Sequence, residues 1–476
     1  MWLPSKEKKE PLYQQIIEHL VQQIQIGELL PGDTLLAERK LADRYHVNRS
    51  TVVRALDELS SIGWIERKHG SGTIVSENPP SARHIPTPLI RLLGRSHFQE
   101  DYYTTAIKEQ LKDPQTLDFF TGDLPLDLIP DFEFPAISWE HLITEEKKVT
   151  ASGYEPLKQY IRKKLIEEMA LPSKNQEVLI TSGSTQGMIL LLQNLLKPGD
   201  CVATEDPSFL FSLPIFAPLG IELVGIKQDE EGISCKKKKK NILQKRIKLL
   251  YLNPNYQNPT SQTISLSRRR ELIELCKKYE IPIIEDDVFA DFYFTIPLPT
   301  LKQLAPEQVI YLGSFSKLFS SRIKIGWIYA SDPLIKRLML TKQQTEQETE
   351  LFPQLLATSV LTANNYPMKH QQLRNQLIER RDYFVEGMES LKEFWSYEAI
   401  QGGLYYWVTW RSGPLSRTQW GLFLEENLAI APSFLFGRDS QHFRMNYTRL
   451  NEENRMLFFQ KINKITDILK QQKKER

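Results

Sequence analysis

The chain has 476 residues, 41% of them hydrophobic and 25% charged, with a net charge of +2. That length exceeds one ordinary domain, that composition excludes a disordered chain, and so small a net charge names no partner by itself. The three cysteines, Cys201, Cys235 and Cys276, show no CxxC spacing, which excludes a disulfide framework and a zinc site and fits a reducing cytosol. The first residues, MWLPSKEKKEPLYQQ, lack the apolar core of a signal peptide. No run approaches the roughly 18 apolar residues of a membrane span, so a soluble, cytoplasmic protein is expected.

Residues 11–75 predict a small helical unit ending in a hairpin. Leu12, Ile16, Leu20 and Ile24 recur every four residues and define the apolar face of a first helix, stopped by Gly27 and Pro31-Gly32. LAERKLADRYHV predicts a short second helix, and NRSTVVRALDELSSIG a third with Asn48 as N-cap. Val52, Leu56 and Leu59 share its inward face, Ser50 and Arg54 the outward one, and Arg49 lies in its first turn. WIERKHGSGTIV reads as two short strands about a tight turn. Helix, turn, helix and hairpin make a winged helix-turn-helix. Its third helix would enter the major groove, with Ser50, Thr51 and Arg54 at base edges or phosphates and the wing tip His69-Gly70 at the neighbouring backbone. A bundle that merely holds protein together has the same helices. Against it, Arg39, Lys40, Arg44, Arg49 and Arg54 outnumber Glu38 and Asp43 locally.

Residues 77–116 open on a proline-rich stretch without a clear period and read as a linker, with a helical pattern near TTAIKEQLKDP. From residue 117 on, strand and helix patterns alternate. EVLIT, CVATEDPSF, IELVGIK, IKLLYLN, IPIIEDD, VIYLGSF and KIGWIYA are short apolar strands, which together predict an α/β sheet with its site at the strand ends. The run CKKKKKNILQKRIK at 235–248 reads as a solvated helix or loop, or as a DNA contact.

Four strand ends carry polar chemistry. TSGSTQG places Ser184 and Thr185 at a helix N-terminus, which can hold a phosphate or can simply start a helix. Asn258 in QNPT fits a turn as well as a ligand contact. IIEDDVF ends an apolar strand on three carboxylates; one can enter a pocket, or all can lie in a solvated loop. GSFSK brings Lys317 after VIYLGSF, either as a loop lysine in water or as an amine held out of water for covalent work.

The N-terminal segment resembles the GntR-type winged helix-turn-helix, which implies DNA binding through Arg39, Arg49, Arg54 and Gly70. LLAER departs from the Pro-Ser pair usual before Glu-Arg. The four strand-end motifs, in their order, resemble fold-type-I, aspartate-aminotransferase-like enzymes that use pyridoxal 5'-phosphate. That resemblance implies an aminotransferase-like mixed sheet with flanking helices over 117–476, behind a head at 1–76 and a linker at 77–116. It implies an internal aldimine on Lys317, Asp286 on the pyridine nitrogen and Asn258 on the ring's 3-oxygen. Ser184, Thr185 and Ser314, with Lys324 in place of the usual arginine, would hold the phosphate. Phe209 would stack on the ring and Arg444 would clamp a substrate carboxylate. Lys324 and Arg322 would also discourage a protonated Lys317.

Head and body together resemble the MocR/GabR family of bacterial regulators. The expectation is a homodimeric transcription factor that binds double-stranded operator DNA and senses a small amine or amino acid through Lys317. A working aminotransferase with an accessory DNA-binding head is the alternative. Val288 and Phe289 stand where the family usually has a tyrosine, and NPTS replaces NPTG; both weaken the case for rapid turnover. FFTGDLPLDLIPDFEFP resembles the family's segment over the active-site mouth.

Overall fold

The protein is described here from a computed structural model covering residues 3–4, 11–25, 28–68, 72–76, 101–133, 136–234, 247–319, 323–345, 349–437 and 439–474. It divides into two compact units, 1–116 with 416–425, and 117–415 with 426–476.

In the first unit, α1 (Leu12–Gln25), α2 (Glu38–Tyr45) and α3 (Arg49–Ser61) precede a hairpin of β1 (Ile65–Lys68) and β2 (Gly72–Val75). The four-residue spacing does what its period requires: Ile16, Leu20 and Ile24 of α1 bury against Val52, Ala55, Leu56 and Leu59 of α3 in one core. Asn48 occupies the N-cap of α3 as expected, but its side chain accepts no capping bond. The hairpin pairs Ile65 with Val75 and Lys68 with Gly72. Its tip, with His69 and Gly70, lies outside the described residues, as does Arg322.

The helical pattern expected near the end of the linker is present as a helix that packs. Residues 77–100 lie outside the described residues, but α4 (Tyr102–Gln110) is a packed helix rather than a spacer. Asp101 caps it by accepting from the Tyr103 N–H at 2.9 Å, and Tyr103 and Ile107 are buried. Arg417, opening the helix Arg417–Glu425, pairs with Asp101 at 3.0 Å, and Gln110 donates to the Leu424 carbonyl. The helix is legible locally but its packing is not, because the buried residues are few and their partners come about 300 residues later.

The second unit is built on one sheet. Its strands are β3 (Gln176–Thr181), β4 (Cys201–Asp206), β5 (Glu222–Asp229), β6 (Ile247–Leu252), β7 (Ile283–Asp286), β8 (Val309–Ser314) and β9 (Gly326–Ser331). They lie in the order β3-β9-β8-β7-β6-β4-β5, with the short strand Gly232–Ile233 at the edge beside β5. These seven run parallel except β9, which is antiparallel to both neighbours. Near-continuous apolar runs such as VLIT and IKLLYL are what a sheet covered on both faces demands. The strand ends that carry Thr181, Asp206, Leu252, Asp286 and Ser314 therefore open on one edge, and β9 begins there. A smaller sheet orders Trp395–Ser396, Tyr405–Trp410, His442–Asn446 and Ala431–Pro432 and presents Arg444 and Tyr405. Among the described residues, no helix is long and apolar enough to cross a membrane.

Candidate functional site

On the head, Arg39, Lys40, Ser50 and Arg54 are exposed or partly so, as is Thr51. The outward face of α3 is thus the predicted one. Its arginines are not idle. Arg49 pairs with Glu38 at 2.9 Å, and the Arg54 guanidinium lies 3.9 Å over the Tyr13 ring with Glu58 at 3.6 Å. Arg67 on β1 joins Glu38 and Asp57, a contact the sequence reading missed. Pairs as exposed as Arg54 with Glu58 contribute little, so such an arginine can exchange its carboxylate for a phosphate at small cost.

In the body, β7 leads into three consecutive carboxylates, and all three are buried. Alternation along the strand separates them. Glu285 accepts from the Leu301 and Lys302 N–H groups, the first two of the short helix Leu301–Leu304 that Thr300 caps. Asp287 accepts from Asn255 and from the Tyr311 hydroxyl. Asp286 accepts from the Tyr251 hydroxyl at 2.6 Å through Oδ2, while its Oδ1 is buried with no hydrogen-bond partner. Burial pushes the Asp286 carboxyl up to about 7, against the pull of Tyr251. Tyr251 was read only as part of an apolar strand. Phe209 meets its ring edge-on at 6.4 Å, so the predicted stacking residue lies on the same side as Asp286.

The phosphate end forms where β3 turns into α5 (Ser184–Leu195). Gly183 caps this helix at φ 81°, a left-handed conformation that favours glycine. Ser184 and Thr185 are its first two residues, so their N–H groups have no partner within the helix. A Cβ on Gly183 would lie 3.7 Å from both the Lys324 Cβ and the Ser316 Oγ, which puts all three beside this turn. Ser314 is placed differently from expectation. Its hydroxyl donates to the Ile325 carbonyl at 2.9 Å and accepts from the Ser316 N–H at 3.0 Å, bracing the lysine turn. Gly326 backs the cradle so closely that a Cβ there would fall 2.4 Å from the Gly183 carbonyl carbon and 2.6 Å from the Ser184 nitrogen. Gly326→Ala should therefore lower the thermal midpoint, at a cost of about 1–3 kcal/mol, and weaken phosphate-bearing ligands. Calorimetry with and without pyridoxal phosphate checks both, and an unchanged midpoint would refute the cradle geometry.

Lys317 follows β8. Its Nζ donates to Asp123 Oδ1 at 2.6 Å and to the Gly122 carbonyl at 3.1 Å. Here the structure overturns the expected depressed lysine. Burial alone would lower its pKa, but Tyr405 and Asp123 outweigh burial and Arg444, and the amine is held above its ordinary value. Arg444 is buried. Its Nη1 donates to Asn258 Oδ1 at 3.0 Å and its Nη2 to the Phe120 carbonyl at 2.6 Å, with the Tyr405 ring 4.5 Å and the Phe436 ring 5.0 Å away. Asn258 thus meets Arg444, so its carbonyl oxygen faces the clamp. Phe289 is buried against Tyr405 at 5.7 Å and offers no hydroxyl. A hydroxyl does reach this corner from another strand: Tyr405 donates to the same Gly122 carbonyl, at 2.8 Å. The sequence signal for Asp123 was present in FFTGDLP but named no partner.

Lys317, Asn258, Arg444 and Tyr405 therefore share one site, Asp286 ends the strand beside β8, and the α5 turn follows β3 on the same edge. Comparison with known proteins agrees. Residues 139–462 match the family model for aminotransferase class I and II, and residues 12–75 that for bacterial regulatory proteins of the gntR family. The uncharacterized HTH-type transcriptional regulator YisV of Bacillus subtilis (strain 168) is 32% identical over 94% of this chain and 94% of its own. The multiple substrate aminotransferase of Thermococcus profundus superposes with a TM-score of 0.71 at 20% identity, over 80% of this chain and 99% of that one. LysN, the α-aminoadipate aminotransferase of Thermus thermophilus, complexed with N-(5'-phosphopyridoxyl)-L-leucine, superposes with a TM-score of 0.66 at 25% identity, over 76% and 95%.

Fold and site together define an aminotransferase-like body carried by a DNA-binding head of the GntR type. The chain belongs to the MocR/GabR family of transcriptional regulators. With that family goes pyridoxal 5'-phosphate as cofactor, and the residues fit it. Asp286 Oδ1 is a buried acceptor lacking a donor, which a protonated pyridine nitrogen supplies. The α5 N-terminus beside Lys324 suits a phosphate dianion.

Proposed function

We propose that the protein binds operator DNA through its head and reports, through the Lys317 site, the presence of a small amine or amino acid. The observation that carries this reading is the meeting of an amine nucleophile and a buried guanidinium in one site, with an unsatisfied carboxylate on the neighbouring strand end. When bound, pyridoxal phosphate supplies an electrophilic carbon and a cationic ring that withdraws electrons. The chain's own residues do the rest. Asp286 holds the ring nitrogen's proton. Ser184, Thr185 and Lys324 take the phosphate, and Phe209 flanks the ring. Arg444, planar and bidentate, takes the effector's carboxylate in place of the Phe120 carbonyl. Lys317 Nζ alternates between attachment and its ion pair with Asp123, and that change of charge biases the body between states.

A homodimer in the cytoplasm suits this role, because paired heads match a repeated operator. Trp139 and Ile143, one turn apart on the helix Trp139–Glu146, are 75% and 47% exposed, which supports a covered face in the assembly.

The test uses duplex DNA selected by the protein from a random pool. Anisotropy titrations with pyridoxal phosphate and a panel of amines should show at least one amine changing DNA affinity about fivefold or more. Arg49→Ala with Arg54→Ala should abolish binding with or without amine. If no amine moves the affinity while keto acid accumulates from an amino acid, the body is a working aminotransferase. That second reading is favoured by Lys317, Asp286 and Arg444 all being in place.

A further inference from the structure

Resting on the reading of Lys317 as the cofactor's anchor, we propose that Asp123 is the positioning residue of that lysine. It holds Nζ as an ammonium whenever Nζ is unattached, and so retards attachment and favours release.

The argument is geometric. Asp123 belongs to a strap, residues 118–123, whose polar groups are fixed both within the strap and from outside it. Asp118 Oδ1 accepts from the Phe120 and Thr121 N–H groups at 3.1 and 2.9 Å. Its Oδ2 pairs with Arg449 Nη1 at 2.9 Å. Asn446 Nδ2 donates to the Thr121 and Asp123 carbonyls at 2.7 and 2.9 Å. Tyr405 takes the carbonyl of Gly122, and Arg444 that of Phe120 until an effector's carboxylate replaces it. So anchored, the strap offers the Asp123 carboxylate to Nζ without losing loop entropy at each encounter. The two side chains are each 27% exposed, so the pair is largely shielded from water. At 2.6 Å the bond is at the short end for a charge-assisted contact.

Among the described residues, the charged and titratable groups facing Nζ are Asp123 and Tyr405, with Arg444 opposing them. Asp123 is the carboxylate among them. To join an aldehyde carbon, Nζ must first shed one proton to solvent. Its two remaining hydrogens then leave with the aldehyde oxygen as water as the carbon–nitrogen double bond forms. The ion pair is lost at the first of these steps and regained when Nζ is displaced. Asp123 therefore weights the equilibrium toward the free lysine, the state that an amine effector produces. A regulator gains by this, since a weak amine can then still displace its lysine. An enzyme that must re-attach its lysine in every cycle does not.

The experiment has two arms, run on the full chain with Asp123→Asn and Asp123→Glu. In cofactor-free protein, the rate of Lys317 acetylation by acetic anhydride is followed against pH by peptide mass spectrometry. Asp123→Asn should move the profile to lower pH and raise the neutral-pH rate about tenfold or more, and Asp123→Glu should stay near the parent. In protein loaded with pyridoxal phosphate, methylamine is titrated against the cofactor's absorbance. Asp123→Asn should need about tenfold more methylamine for half-displacement. An unmoved pH profile in Asp123→Asn, or a glutamate variant that behaves like asparagine, overturns the proposal. If borohydride reduction leaves Lys317 of the parent protein unlabelled by pyridoxal phosphate, the anchor reading fails instead. The acetylation profile still judges Asp123 on its own.

Discussion

Replacing Lys317 with alanine should leave a folded protein that binds pyridoxal phosphate only reversibly and no longer answers to amines. The side chain contributes little to packing: it is partly exposed and its polar contacts are to one strap, at Gly122 and Asp123. The thermal midpoint should therefore fall by only a few degrees. Covalent retention, in contrast, depends on Nζ alone, because the remaining contacts to the cofactor are ionic and exchangeable. After borohydride treatment and gel filtration, the parent should carry cofactor on the peptide containing Lys317 and the variant should carry none. DNA affinity of the variant should be independent of amine at every concentration. If the variant retained cofactor covalently on another lysine, the assignment of the site would be wrong. If it bound DNA and still answered to amines, the body would sense them elsewhere.

Asp286→Asn should have opposite effects on the free and the loaded protein. Without cofactor, the Asp286 carboxyl titrates at about 7 when folded, against about 4 when unfolded. Between those values the folded state holds a proton that the unfolded chain has lost. Its contribution to stability therefore declines as pH rises from about 4 to about 7 and stays low above that. Asparagine removes this penalty and keeps an acceptor for Tyr251. The variant should thus gain on the parent in urea midpoint as pH rises across that window. With cofactor, the order reverses. A pyridinium facing Oδ1 is a buried cation, and taking away its carboxylate costs about 3 kcal/mol or more, roughly a hundredfold in affinity for pyridoxal phosphate. Paired urea titrations and a spectroscopic titration of pyridoxal phosphate read both signs. A variant that binds the cofactor as tightly as the parent would remove Asp286 from the ring nitrogen.

Much of the molecule is legible in order along the chain. The winged head follows from four-residue apolar spacing, and of the face that spacing picks out Ile16, Leu20 and Ile24 enter the core while Leu12 is only half-buried. Most of the seven strands of the large sheet announce themselves as short apolar runs, since a sheet covered on both faces leaves little room for polar alternation, while β5, beside the sheet edge, alternates. Lys317, Asn258 and Asp286 stand out because strand ends in such a sheet are where polar residues can gather, whereas Arg444, in the middle of a strand of the smaller sheet, is named only by the resemblance.

What the chain order does not contain is which of those polar groups meet. IIEDDVF offers three carboxylates equally; only the pleat, the short helix at 301–304 and Tyr251 single out Asp286 and leave its Oδ1 without a donor. Ser314 reads as a phosphate donor until the turn at Ile325 takes its proton. The charge state of Lys317 is the sharpest case. Nearby cations in sequence suggested a neutral amine, yet its neighbours in space are Asp123, 194 residues earlier, and Tyr405, far later in the chain. Apolar periodicity is written locally and can be read locally. Electrostatic pairing falls off over a few ångströms in space and is indifferent to separation along the chain, so it is settled only when the chain has folded.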